Sequence, residues 1–144
     1  MLMLAALACG SDNSGVKVGT SVGATTVPKS ATVYAVGDLV QVKDHTIVLN
    51  STTLTGNVLK ANFTIENKGK SDLAVSSMLS FSAKDSEGTK LEQQILDCGA
   101  QIDGKVLTGD KVKGDICWKG AKKPVKIYYE SNFLSSGAVV WEVK

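Results

Sequence analysis

Three cysteines and a single histidine are the side chains of this sequence best equipped for chemistry beyond packing, and their contexts differ. Cys9 stands alone after an apolar run. Cys98 and Cys117 lie in the same half of the chain, separated by a Gly-rich segment, and an oxidising compartment would join such a pair. A bridge between them closes a loop of roughly 20 residues and stabilises the fold by about 3 kcal/mol on the chain-entropy model. The alternatives are two free thiols in a cytosolic protein, or a zinc site. With only His45 to add, the zinc set stops at three ligands and has no recognisable spacing.

A hydrolase needs a nucleophile, a base and an orienting group. His45, at the start of a predicted strand, is the one candidate base, and it reads as a strand residue on a solvent face. The sequence contains no Gly-x-Ser-x-Gly elbow. Cys9 is assigned to lipid and the other two cysteines to a bridge, so the expectation is a non-enzymatic protein with no catalytic residues and no cofactor. Gly104, Gly109 and Gly114 have the spacing of a phosphate-binding loop. However, Asp110-Lys111 and Asp115-Ile116 stand where Lys and Ser or Thr are required, so these read as turn glycines.

Asp85-Ser86-Glu87-Gly88 supplies two carboxylates, too few oxygens for calcium, and reads as a hairpin turn with no metal. Lys119, Lys122, Lys123 and Lys126 form a basic cluster that reads as a solvated turn, with anionic lipid or wall polymer as the alternative contact. Asn50-Ser51-Thr52 and Asn62-Phe63-Thr64 satisfy the glycosylation sequon, a pattern that occurs often by chance.

The elements that must position these residues begin with the amino terminus. Met1 to Ala8 (MLMLAALA) is apolar and uncharged, with small residues before Cys9, and resembles the end of a lipoprotein signal peptide. In that pattern a peptidase cuts before a cysteine diacylated on sulfur. Ala8 fits the position before the cut, whereas Ala6 and Leu7 depart from the commonest order. The basic start of a secretory signal is missing, which a start codon assigned too late would explain. The run is far short of the roughly 20 residues that span a bilayer.

Gly10 to Ser30 (GSDNSGVKVGTSVGATTVPKS) has the composition of a flexible tether. Residues 9–31 would hold a domain on the order of 25 Å from the membrane. Two acyl chains would anchor it without help from the protein surface.

From Thr32 to Lys144 apolar and polar residues alternate over short runs bounded by Gly, Asn and Asp. This is the pattern of antiparallel strands with one buried face. The cleanest run is Val58 to Glu66, in which Leu59, Ala61, Phe63 and Ile65 share one face and Lys60, Asn62, Thr64 and Glu66 the other. Further strands are expected at Leu39 to Val42, His45 to Leu54, Leu73 to Ser76, Leu79 to Lys84, Val106 to Leu107, Lys111 to Trp118, Val125 to Glu130 and Ala138 to Val143.

Turns are expected at Asn67-Lys68-Gly69, Asp85 to Gly88, Asp103-Gly104, Thr108-Gly109-Asp110 and Ser135-Ser136-Gly137. About seven to nine strands in one domain indicate an immunoglobulin-like β-sandwich. Along Lys111 to Trp118 the apolar parity holds Val112, Ile116 and Trp118, so Cys117 faces outward. Its bridge then pins the loop before Gly104 to an outer face or edge strand, unlike the cross-core bridge of antibody domains.

With 144 residues and 43% hydrophobic content the chain has room for one core and no second domain. The net charge is +2, and the sixteen basic residues are all lysine. The missing arginine, the residue that grips phosphate and carboxylate in a planar fork, argues against a nucleic-acid or phosphate-reading role.

Several segments taken in order resemble the domain-of-unknown-function 4352 family. They are Val36-Gly37-Asp38, Leu59 to Lys70 (LKANFTIENKGK), Asp85 to Gly88 (DSEG), Leu107 to Gly114 (LTGDKVKG) and Pro124 to Glu130 (PVKIYYE). The resemblance covers about Tyr34 to Val143 and implies an immunoglobulin-like sandwich of bacterial and archaeal lipoproteins and secreted proteins, similar in fold to a secreted mycobacterial antigen. It implies no activity and no site residues.

The expectation is therefore an extracytoplasmic lipoprotein, held to the cell membrane or outer membrane through the lipid on Cys9. It would display a binding module for a protein or envelope polymer, with an exposed patch around Tyr128 and Phe133 as the place to look. The alternative is a structural spacer or accessory subunit of an envelope complex.

Overall fold

The computed structural model describes residues 32–131 and 138–144. The signal remnant, Cys9, the tether, Phe133 and the Ser135-Ser136-Gly137 turn lie outside them. In chain order the elements are β1 (Val33–Tyr34), β2 (Leu39–Val42), β3 (His45–Thr55), β4 (Val58–Asn67), β5 (Leu73–Ser76) and α1 (Ser77–Ser80). There follow β6 (Phe81–Lys84), β7 (Glu92–Gln94), β8 (Asp103–Val106), β9 (Lys111–Lys119), β10 (Val125–Tyr129) and β11 (Val139–Val143).

A four-stranded sheet in the order β1-β11-β10-β6 packs on a five-stranded sheet in the order β2-β3-β4-β9-β7, and β5 and β8 form a separate pair. Every pairing is antiparallel except β1 with β11, which run parallel. This is the expected β-sandwich.

The alternation read from Val58 to Glu66 is its central strand. Leu59, Ala61, Phe63 and Ile65 are all at 0% exposure and lie opposite Trp118, Ile116, Gly114 and Val112 of β9. From the facing sheet come Phe81, Ile127, Tyr129 and Trp141. Phe63 sits 4.7 Å from Phe81 and 5.4 Å from Trp141, ring centre to ring centre. Each fully buried Leu, Ile or Phe side chain among these contributes about 1.5–3 kcal/mol by leaving water.

A bulge explains why β3 changes parity along its length. His45, Ile47 and Leu49 share the inner face. The register with β4 then shifts between Leu49 and Ser51, and beyond the shift Leu54 takes the inner face opposite Leu59. Asn50 is the extra residue, and its side-chain amide donates to Asn62 Oδ1 at 2.9 Å and Thr64 Oγ1 at 2.8 Å.

The segment expected to begin a strand at Leu79 first makes a turn of helix. Ser76 caps that turn by accepting from the Leu79 N–H at 3.3 Å, so the strand starts at Phe81. Asp103-Gly104, expected as a turn, opens β8, and Leu107 lies beyond its end, 52% exposed. The two-residue β1 and the polar edge strand β7 had no alternation to announce them.

Cys98 and Cys117 are bridged, with Cα atoms 5.7 Å apart. Cys117 lies opposite Lys60 on the outer face of the five-stranded sheet and apart from the core cluster, as its parity requires. It is nevertheless only 2% exposed, because the segment carrying Cys98 folds over it. That segment also covers the edge of β9 beyond β7, where the Asp115 N–H donates to the Ala100 carbonyl at 2.6 Å.

Gly99 lets the cover come this close. Its φ is +110°, and a Cβ there would meet Asp115 Oδ2 at 2.5 Å.

Candidate binding surfaces

Along one flank of the sandwich β6 and β7 form edges of the two sheets. Lys90 pairs with Lys84 on the edge of β6, and the Leu91 N–H donates to the Ala83 carbonyl at 2.8 Å. The chain then crosses to the other sheet, where Glu92 lies opposite Lys119. The crossing leaves a groove of about 370 Å³, floored by Phe81, Leu91 and Trp118 and rimmed by Lys90, Glu92 and Met78. The Gln93 side-chain amide donates to the Ser77 carbonyl at 2.7 Å and ties β7 to α1 across it.

Met78, in the lining of this groove, is 61% exposed and its chain neighbour Leu79 68%, and β7 runs directly into Ile95 at 49% and Leu96 at 78%. These apolar side chains gain nothing from water, and a concave apolar floor with a mixed, partly charged rim is the form of a contact site. The sequence reading missed it, because its parts lie on α1, β6, β7 and β9 and meet only after the chain changes sheets.

His45 is not where it was expected. Its parity with Ile47 and Leu49 turns it into the molecule, where it is 1% exposed. Its Nε2 lies 2.9 Å from the Tyr129 hydroxyl, and its Nδ1 is 3.7 Å from Asp44 Oδ1 without a hydrogen bond. Burial lowers the His45 pKa, opposed more weakly by Asp44, and the same burial raises that of Tyr129 well above the ordinary tyrosine range. The consistent assignment is a neutral imidazole accepting from the tyrosine hydroxyl. It is an internal strut.

The other residues weighed for chemistry also serve the fold. Asp85 Oδ1 accepts from the Glu87 and Thr89 N–H groups at 3.0 and 2.9 Å, which closes the hairpin turn. Among the described residues no group of three or more His, Cys, Asp or Glu is placed to hold a metal ion. Asn62 accepts from Asn50 and donates to Asp115 Oδ1 at 2.8 Å, and Lys60 approaches Asp115 Oδ2 at 3.3 Å. Both sequon asparagines are thus engaged in this outer-face network. Of the patch expected around Tyr128 and Phe133, Tyr128 is half-buried, and Phe133 is outside the described residues.

The model of the family described as domain of unknown function 4352 matches residues 25–139. The chain belongs to that family. No curated relative matches it. Solved structures similar in fold include the yjhA protein of Bacillus subtilis, at 13% identity and a TM-score of 0.66, covering 78% of this chain and 100% of that one. The ycdA protein of Bacillus subtilis, described as a "putative lipoprotein", is 17% identical with a TM-score of 0.57, covering 69% of this chain and 36% of that one. The secreted protein MPT63 of Mycobacterium tuberculosis is 14% identical with a TM-score of 0.55, covering 79% of this chain and 100% of that one.

Two of the segments that carry the resemblance to the 4352 family, Leu59 to Lys70 and Leu107 to Gly114, meet in space and hold turns. Asn67, buried at 2%, donates its side-chain amide to the Ser71 and Val106 carbonyls at 2.8 and 2.9 Å, and its Oδ1 accepts from the Gly69 N–H at 2.9 Å. Its backbone N–H donates to the Asp110 carbonyl at 3.0 Å, and its carbonyl accepts from the Gly109 N–H at 2.9 Å. The Asn-x-Gly and Gly-Asp motifs are therefore two halves of one clamp. At the other end of the series, Asp38 Oδ2 accepts from the Ala35 N–H at 2.8 Å.

Proposed function

We propose that this protein is an extracytoplasmic lipoprotein, tethered through lipid on Cys9, whose sandwich is a non-enzymatic binding module for a protein of the cell envelope. The observation that carries the binding role is the β6–β7 flank, where exposed Met78 lines a groove with an apolar floor and the elements that build it continue into exposed Leu79, Ile95 and Leu96. Membership of the 4352 family supports the reading, and so does likeness in fold to a protein described as a lipoprotein and to a secreted one. The Cys98–Cys117 bridge adds to it, since such bridges persist in oxidising compartments. A non-enzymatic role agrees with His45, the one candidate base of the sequence, being a buried strut with its Nε2 engaged by Tyr129.

The test is photocrosslinking in the native envelope, with a crosslinking residue placed at Leu96 on the flank or at Thr53 on β3. The expected result is one discrete adduct from Leu96, abolished by Met78→Glu, and none from Thr53. Equal labelling from both positions would remove the flank as the contact site.

A further inference from the structure

Met78 is the one methionine among the described residues, the other two of the sequence, Met1 and Met3, preceding Cys9. It stands on the four-residue turn α1, 61% exposed, in the lining of the groove on the β6–β7 flank. We infer that Met78 is an oxidation site, and that conversion of its thioether to the sulfoxide by a peroxide withdraws the flank from its partner. The inference rests on the contact role proposed above for that flank.

Exposure decides which side chain the oxidant reaches. Susceptibility of sulfur groups to two-electron oxidants follows their openness to solvent. Cys98 and Cys117 are 1% and 2% exposed and already joined to each other, so neither offers a thiol. Trp118 and Trp141, the other oxidisable side chains, are 1% and 0% exposed. Among the described residues Met78 is therefore the one that a peroxide meets first.

The step needs nothing from the protein beyond access. A lone pair on Met78 Sδ attacks one oxygen of hydrogen peroxide, and the S–O bond forms as the O–O bond breaks. The departing hydroxide takes the proton left on the transferred oxygen and leaves as water. The thioether loses two electrons, and the peroxide is reduced. The product is polar where the thioether was apolar, and methionine sulfoxide reductases restore the original side chain.

The effect is confined to the contact surface, because the turn is held by other groups. Ser76 Oγ accepts from the Leu79 N–H at 3.3 Å, and Asp103 accepts from the Ser77 N–H and hydroxyl, each at 2.9 Å. The Gln93 side-chain amide donates to the Ser77 carbonyl at 2.7 Å. None of these bonds uses the Met78 side chain, which also lies outside the core cluster. Oxidation thus leaves turn and core in place and alters the lining that Met78 shares with Phe81, Leu91 and Trp118. A partner resting there gains a soft, adaptable apolar contact from the thioether. From the sulfoxide it receives an acceptor with no donor to meet it.

The test treats the full chain in its native envelope with hydrogen peroxide and reads two things, the site of oxidation by peptide mass mapping and the crosslink from Leu96. The expected result is one added oxygen on the peptide that holds Met78, gained within about threefold of the rate for N-acetylmethionine amide in the same solution. The Leu96 adduct should fall roughly tenfold, with the unfolding midpoint unchanged. Met78→Leu, apolar and without sulfur, should keep the adduct through the treatment, and Met78→Gln should lose it with no peroxide added. Recovery of the adduct after methionine sulfoxide reductase would support the switch. Protection of Met78 from a dose that oxidises the free amide would overturn it. So would an adduct undiminished after full conversion, or an equal loss in Met78→Leu, which would place the effect elsewhere. Absence of the adduct before any treatment would strike the contact role itself and the switch with it, while the mass map still decides the oxidation site.

Discussion

His45 and Tyr129 show what a single buried polar pair does to stability. Burial holds the His45 pKa below its unfolded value of 6.5, so the unfolded chain binds more protons as the solution is acidified. The pair's contribution is therefore present above that value and is lost as pH falls below it. The urea midpoint is expected to fall between pH 7 and pH 5, and the fall should be smaller in His45→Gln. A fall of the same size in that variant would assign the acid sensitivity to carboxylates. Tyr129→Phe removes the partner of Nε2 while keeping the ring against Phe81. It should cost about 1–3 kcal/mol in urea unfolding at pH 7, the penalty for a buried group left unpaired.

The place of His45 was legible in principle, because it shares parity with Ile47 and Leu49. Reading it as polar, and therefore outward, let side-chain chemistry override the period of the strand. Its acceptance inside depends on a hydroxyl eighty-four residues away, which no local pattern announces.

At the scale of elements, alternation found the strands with one wet face, and it failed where a strand is short, polar or covered on both faces. β7 is Glu-Gln-Gln and owes its existence to pairing with β9 rather than to any apolar face. Cys117 kept its predicted side of β9, but its burial arises from a loop that parity cannot see. Releasing that loop has a calculable cost. Cys98→Ser with Cys117→Ser should lower stability by about 3 kcal/mol on the loop-entropy estimate, read as a lower denaturant midpoint, and should expose the β9 edge to faster amide exchange at Asp115.

The family motifs were the most legible part of the fold, and their physical content is turn geometry. Asn67→Ala would strip the Ser71 and Val106 carbonyls and the Gly69 N–H of their partner at once. A loss on the order of 2–3 kcal/mol is expected, with the β4–β9 end of the sheet fraying first in hydrogen exchange. An unchanged midpoint would mean that water replaces the side chain and that the clamp is ornamental.

For the whole molecule, the core is legible because two sheets each contribute one apolar face. The surfaces are not, because each is assembled from distant segments. The flank groove draws on Met78, Leu91 and Trp118, and the smaller concavity on the outer face of the four-stranded sheet draws on Lys84, Asp85, Lys126 and Glu142. Neither pattern exists until the sheets are built. The proposed address rests instead on the sequence alone, on an apolar run ending at Cys9 that resembles the end of a lipoprotein signal peptide and on the Gly- and Ser-containing segment after it.

On this account the sandwich supplies recognition and the lipid supplies location, so Cys9→Ser should move the protein from the membrane fraction to the soluble one without changing its unfolding midpoint. The most direct test is intact-mass analysis of the chain purified from its native envelope. The account predicts a polypeptide beginning at Cys9 and carrying a diacylglycerol thioether. A chain that retains the residues before Cys9, or that bears an unmodified thiol there, would contradict it.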